Sequence, residues 1–322
     1  MNRIFLKPVV LHIPDGFLSL TIALIFWAIT ICFIGLAIQR TRKQFNERQI
    51  PLMGIMAAFI FAAQMLNFPV AGGTSGHFLG GALAAIVLGP WAAMLVMATV
   101  VGVQALIFQD GGLIVMGANI FNMGLLTATI GYGLYQSTAA RGKTTRLAVA
   151  GVAAWLSVIA GALATAFQLW LSGTSALRIV FPAMLGVHMI IGVGEALITV
   201  AALAFISQTR PDLLAEGDAS TSTTGKRGWV VAGLLISLLV VLISPLASAF
   251  PDGLERVAED MGFIEAGLSA PYEILPDYTL QFLGESSLST ILAGAVGVLI
   301  VAGLVVGLMR LLRRNADTAS KA

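Results

Sequence analysis

This chain of 322 residues has three histidines, and each stands where it could do chemistry. His12 sits in "VVLHIPDGFLSL", just ahead of a Pro-Asp-Gly turn and a long apolar run. His77 lies in the glycine-rich stretch "NFPVAGGTSGHFLGG" (67–81), where glycines let the backbone turn tightly and approach a small bound ion. Histidine is the commonest nitrogen ligand of late transition metals, so two histidines at the mouths of different helices could share one ion. The same residue types also suit an interfacial histidine and a polar-capped loop, and residue type alone leaves both readings open. His188 lies about ten residues inside an apolar run, with Glu195 seven further along and near the same helical face. Ionisable groups at that depth are costly and face a bundle interior, a cavity or a partner. Proton relay, support of a metal site and helix–helix hydrogen bonding are its possible roles, and structural support is the first expectation. "ANIFNMG" places Asn119 and Asn122 one turn apart, which suits hydrogen bonds across helices or a polar face beneath the His12/His77 region. "GIMAAFIFAAQM" carries Gly54, Ala58 and Ala62 at four-residue spacing, a stripe that lets another helix come close, within the chain or from another subunit.

The elements that must position these residues are membrane helices. The chain is 58% hydrophobic and 11% charged, with a mean hydropathy of +0.93, whereas soluble domains are roughly 25% charged. Nine apolar runs read as spans: 17–39, 51–66, 78–88, 90–108, 112–135, 146–171, 179–206, 229–248 and 289–309. Residues 78–108 as one helix would extend about 46 Å, well beyond a hydrocarbon core of about 30 Å, so a break at Gly89-Pro90 is expected. The fold class is therefore an all-α integral membrane protein, a bundle of about seven helices followed by a two-helix hairpin around an external loop.

Basic residues favour cytoplasmic loops. With nine spans, Arg40, Arg42, Lys43, Arg48, Arg141, Lys143, Arg146, Arg210, Lys226, Arg227, Arg310, Arg313, Arg314 and Lys321 all fall on one side. That puts the N-terminus outside the cell membrane, the C-terminus inside, and His12, the glycine-rich loop and "QDGG" (109–112) on the external face. The segment 249–288 is then external too, with eight acids against Arg256. It reads first as a solvated loop and second as a device for admitting cations.

Several activities are excluded or weakened. One cysteine, Cys32, allows neither a disulfide framework nor a thiolate cage within the chain. A net charge of +2 reflects loop bias and gives no case for nucleic-acid binding. Gly-Lys-Thr at 142–144 lacks the upstream glycine of a phosphate loop, where Ser137 stands, so ATP coupling would need a partner. No G-x-S-x-G, H-E-x-x-H or paired-cysteine motif supports enzyme chemistry.

Five stretches in order, "HIPDGFLS", "PVAGGTSGHFLGG", "LGPWAAMLVM", "FQDGGLIVMGANIFNMG" and "HMIIGVGEALIT", resemble the CbiM/NikM family, the cobalt/nickel substrate-capture subunits of energy-coupling factor transporters. The resemblance covers residues 11–206, and "FPDGLERVAEDMGF" (250–263) resembles the PDGLE domain, akin to the small two-span auxiliary subunit of these systems. It implies transported Co2+ or Ni2+ as cargo, no prosthetic group, and a transmembrane coupling subunit with separate ATP-binding subunits as partners. In that family the metal is held by an N-terminal amine, the next amide nitrogen, the second residue's imidazole and a histidine of the glycine-rich loop. Here those positions are Leu11, His12 and His77, with His188, Asn119 and Asn122 in support and Gly54, Ala58 and Ala62 as a coupling surface. Such a planar nitrogen array leans towards nickel without excluding cobalt.

Leu11 is not a terminus in this sequence. Initiation at Leu11, proteolytic removal of 1–10, or retention of the extension with an altered site are the three expectations. Loss of Arg3 and Lys7 would sharpen the charge bias. The domain reading is an N-terminal extension (1–10), a metal-capture membrane domain (11–206), a cytoplasmic linker (207–228), a two-span domain (229–314) and a cytoplasmic tail (315–322). A self-sufficient secondary transporter or channel for divalent cations is the main rival, and a membrane metallo-hydrolase the second.

Overall fold

The computed structural model describes residues 12–42, 49–214 and 228–319, with side chains to residue 314. Among the described residues nine helical passages answer to the nine apolar runs. They are α1 (Leu20–Arg42), α2 (Gln49–Gln64), α3 (Gly81–Leu88), α4 (Pro90–Val103) prolonged by a π turn Gln104–Phe108, and α5 (Met116–Ile120) joined through a π turn Phe121–Leu126 to α6 (Thr127–Gln136). After these come α7 (Lys143–Leu171), α8 (Leu177–Thr209), α9 (Gly228–Ile243) and, beyond a short α10 (Gly253–Met261), α11 (Ser287–Ala319). Among the described residues six of these passages are long and apolar enough to cross a membrane. The break between α3 and α4 falls at Gly89, whose φ of 80° favours a residue without a Cβ, and Pro90 opens the next helix where its missing N–H costs nothing.

Burial sorts the helices by role. The helix Pro90–Phe108 has 67% of its apolar window buried and forms the centre of the bundle, while α1 and Gly228–Leu246 have 17% and turn most of their apolar surface outward. Leu24, Ile31, Leu197, Leu239 and Leu299 belong to that outward belt, as expected of helices whose solvent is lipid. At one pole Arg40 lies over Trp91, Arg146 over Tyr135 and Arg210 over Trp229, so the basic helix ends gather on aromatic rings. The opposite pole carries His12, the hairpin of β1 (Phe68–Val70) and β2 (Thr74–Gly76), Asp110 and the segment between α9 and α11.

That last segment departs from a solvated loop. It folds into α10 and short 3-10 turns and bonds to the first part of the chain: Ser248 N to Asn67 O (2.7 Å), Ser75 N to Pro251 O (2.8 Å), Leu268 N to Asp15 O (2.7 Å) and Leu275 N to Ile107 O (3.0 Å). The physical reason is that irregular main chain at the top of an apolar bundle must find acceptors and donors, and each part supplies the other's. The small-residue stripe on α2 lies inside the bundle. Ala58 and Ala62 are wholly buried, and a Cβ on Gly54 would lie 2.6 Å from Val306 of α11, so that helix approaches α2 closely at this glycine. Gly54→Val is expected to force α11 away from α2 and cost about 1–3 kcal/mol. The measurement is the thermal unfolding of the detergent-solubilised protein, and an unchanged midpoint would contradict the contact.

Candidate metal centre

His12 is fixed by its neighbours in sequence. Asn119 clamps Ile13, accepting from its N–H (3.1 Å) and donating to its carbonyl (3.0 Å). The Asp15 carboxylate accepts from the amides of Leu113, Ile114 and Val115 (2.9, 2.9 and 3.1 Å) and so caps the chain entering α5 from a distant part of the sequence. His12 Nδ1 lies 3.0 Å from the main-chain oxygen of Asp110 and 3.5 Å from its Oδ1. A carbonyl can only accept, so Nδ1 carries the proton and Nε2 presents its lone pair. Burial pushes the His12 pKa down, and the nearby Asp110 charge only partly restores it.

His77 follows β2 and is held from two sides. Glu195, wholly buried in α8, accepts from the amides of Leu79 (2.6 Å) and Gly80 (2.9 Å) just beyond it. Its own Nδ1 donates to Asp252 Oδ1 at 3.1 Å. Burial alone would lower the His77 pKa, but the Asp252 charge and hydrogen bond outweigh it and the net shift is upward. For Asp252 burial raises and His77 lowers, and the carboxyl ends below its usual range. Asp252 also opens α10 through a capping box with Glu255, so its side chain is fixed by the helix it starts.

The two rings meet edge to face with centroids 5.5 Å apart. His12 Nε2 and His77 Nε2 are both buried without a hydrogen-bond partner. Beneath them lies a cavity of about 60 Å³ lined by His12, His77, His188, Asn119, Asn122 and Asp252 among others. Unpartnered buried nitrogens are costly in a native structure, and paired imidazole lone pairs facing a small space are what a late transition-metal cation would satisfy. Among the described residues no group of three or more His, Cys, Asp or Glu side chains is arranged to hold a metal. Two imidazoles therefore need further donors from main-chain atoms or water. Leu11, the expected source of one of them, lies outside the described residues.

His188 takes a different place from the pair. Its Nδ1 donates to the Met184 carbonyl one turn back (2.8 Å), and its ring packs under Gly253 at the cavity wall. Asn122 lines the same cavity but spends its amide on α7: it donates to Thr165 (3.0 Å) and exchanges two amide bonds of 2.8 Å with Gln168. The π turn that contains Asn122 and the one that ends at Phe108 bracket Asp110 and Asn119, irregularities that helices often show beside functional sites. Sequence reasoning missed Asp252 and Tyr278, whose hydroxyl donates to Asp110 Oδ2 (2.7 Å). The one usable signal was the shared Pro-Asp-Gly of residues 14–16 and 251–253, which reads first as turn chemistry.

The described residues thus form a multi-pass helical bundle with two adjacent buried imidazoles at one pole. The fold matches a crystal structure of a truncated transition metal transporter with TM-score 0.56 and 33% identity, covering 61% of this chain and 98% of that one. Residues 12–213 match the CbiM family, described as the cobalt uptake substrate-specific transmembrane region, and residues 227–314 match the PDGLE domain. The chain belongs to the CbiM family and carries a PDGLE domain. A putative fused nickel transport protein NikMN of Archaeoglobus fulgidus is 37% identical over 94% of this chain and 99% of its own length. The fused nickel transport protein NikMN of Rhodobacter capsulatus is 31% identical with the same coverage. The cobalt transport protein CbiM of Sorangium cellulosum is 32% identical over 63% of this chain and 94% of its own.

Glu195→Ala is expected to leave the Leu79 and Gly80 amides without acceptors in a buried place, at about 1–3 kcal/mol each. Hydrogen exchange at those two amides should accelerate while the spans keep their protection. Unchanged protection there would show that the carboxylate does not hold the loop.

Proposed function

We propose that this protein captures Ni2+ or Co2+ between His12 and His77 and mediates its ATP-dependent uptake as the substrate-specific subunit of an energy-coupling factor transporter. The observation that carries the reading is the pair of buried, unpartnered Nε2 atoms whose Nδ1 atoms are already engaged. The His12 amide nitrogen, together with the Leu11 amine when the functional chain starts there, would complete the donor set, and His188, Asn119 and Asn122 support it. Nickel is favoured because the Archaeoglobus and Rhodobacter relatives, each aligned over 94% of this chain, are named as nickel transport proteins. The metal-binding pole faces outside and the arginine-rich pole the cytoplasm, by the positive-inside tendency. Residues 11–206 form the capture domain and 229–314 a two-span domain joined to it by 207–228. The sequence has no nucleotide-binding motif, so partner subunits hydrolyse ATP and a transmembrane partner couples it.

A self-sufficient cation carrier would need a titratable relay through the spans. Glu195 is the carboxylate available there, and its two oxygens are tied to Leu79 and Gly80. That argues against the rival. His77→Ala is expected to abolish high-affinity Ni2+ and Co2+ binding in calorimetry, with Ni2+ uptake by cells dependent on coexpressed ATPase subunits. Equal binding by wild type and variant, or uptake by this chain alone, would overturn the assignment.

A further inference from the structure

We propose that the segment between α9 and α11 is a two-point clamp on the metal centre, with Asp252 and Tyr278 as positioning residues that fix one histidine each. The inference rests on the metal-capture reading above and adds the source of the site's geometry. The first point is direct. Asp252 Oδ1 receives the His77 Nδ1 proton at 3.1 Å, and the contact is held in register by Ser75, whose N–H bonds to Pro251 O and whose hydroxyl bonds to Phe250 O, both at 2.8 Å. The second point acts through one intermediary. Tyr278 donates to Asp110 Oδ2 at 2.7 Å, while the main-chain oxygen of the same Asp110 receives the His12 Nδ1 proton. Tyr278 is itself held by Gln104 Nε2 (3.2 Å) and by stacking on Phe108 with centroids 4.7 Å apart.

The backbone supports the same reading. Asp277 and Tyr278 both adopt left-handed φ values, 50° and 55°, a conformation that non-glycine residues keep only where their surroundings over-determine it. Here the ring stack and the bond to Asp110 are those surroundings. A group behind a metal-binding imidazole sets its tautomer and orientation, and a carboxylate there also raises its donor strength. The ligands thus come from one half of the chain and the groups that aim them come, wholly or at one remove, from the other. Docking of the segment aims both lone pairs at once, and its release would free both rings.

The test uses the full-length protein, with Ni2+ and Co2+ titrated separately by calorimetry and the ligand-field absorption of bound Co2+ recorded. Asp252→Asn keeps an effective helix cap and removes the charge behind His77; Tyr278→Phe keeps the ring stack and removes the hydroxyl. Each is expected to weaken binding by about 10- to 100-fold with unchanged stoichiometry, and Asp252→Asn to shift the Co2+ bands, which a loss of folded protein would not do. Wild-type affinity and bands in both variants would overturn the clamp while leaving the capture reading intact, provided that His77→Ala still abolishes binding. Wild-type behaviour in Asp252→Asn together with weakened binding in Asp252→Ala would reduce Asp252 to a helix cap and overturn its arm. No metal binding by the wild type would remove the capture reading itself.

Discussion

Two imidazoles buried side by side set the terms for the rest of this structure. Each has two ring nitrogens to satisfy, and burial makes an idle one expensive. His12 and His77 solve half of the problem in the same way, by spending the Nδ1 proton on an acidic residue: the main-chain oxygen of Asp110 for one and the carboxylate of Asp252 for the other. The other half is left unsolved, and both Nε2 atoms remain without partners. That asymmetry separates a binding site from a packed core. A core histidine would have both nitrogens satisfied, as a matter of stability.

Holding the rings there requires irregular main chain at the top of an apolar bundle, and such backbone is tolerated near a membrane only where other groups satisfy it. Side-chain acceptors do this work. Asp15 takes three amides before α5, Glu195 takes two before α3, and Asn119 covers both main-chain groups of Ile13. All three are remote in sequence from what they satisfy. The acids near the centre are therefore parts of its scaffold, each with its oxygens directed at protein donors.

This explains what the sequence could and could not disclose. Hydropathy located nine passages, and Gly89-Pro90 located the break between α3 and α4, because both are local properties. It placed the starts of two helices at 78 and 112, whereas α3 and α5 begin at Gly81 and Met116. The intervening residues are apolar enough to be helical, but their amides bond to Glu195 and Asp15. The histidine pair was legible from residue type and neighbouring glycines. Asp252 and Tyr278 were not, since nothing local distinguishes a carboxylate that meets His77, or a tyrosine that meets Asp110, from the other polar residues of an acidic segment. The four-residue spacing of Gly54, Ala58 and Ala62 marks a surface that another helix can approach, but nothing local says that α11 comes against it at Gly54.

The same geometry carries an argument about selectivity at the proposed site. The donors that line the cavity beneath the rings decide which ion it suits. Mg2+ and Ca2+ require oxygen, and Mg2+ dehydrates reluctantly. The oxygens lining this space are largely spoken for: Asn119 Oδ1 by Ile13, Asn122 Oδ1 by Gln168, and Asp252 by His77 and the start of α10. What remains is imidazole nitrogen, a donor that suits late divalent transition metals far better than hard cations. With the Asp252 carboxylate and the Asp110 carbonyl spent on Nδ1 protons, the proposed site would offer an ion nitrogen in preference to oxygen, and so would favour late transition metals over hard ions.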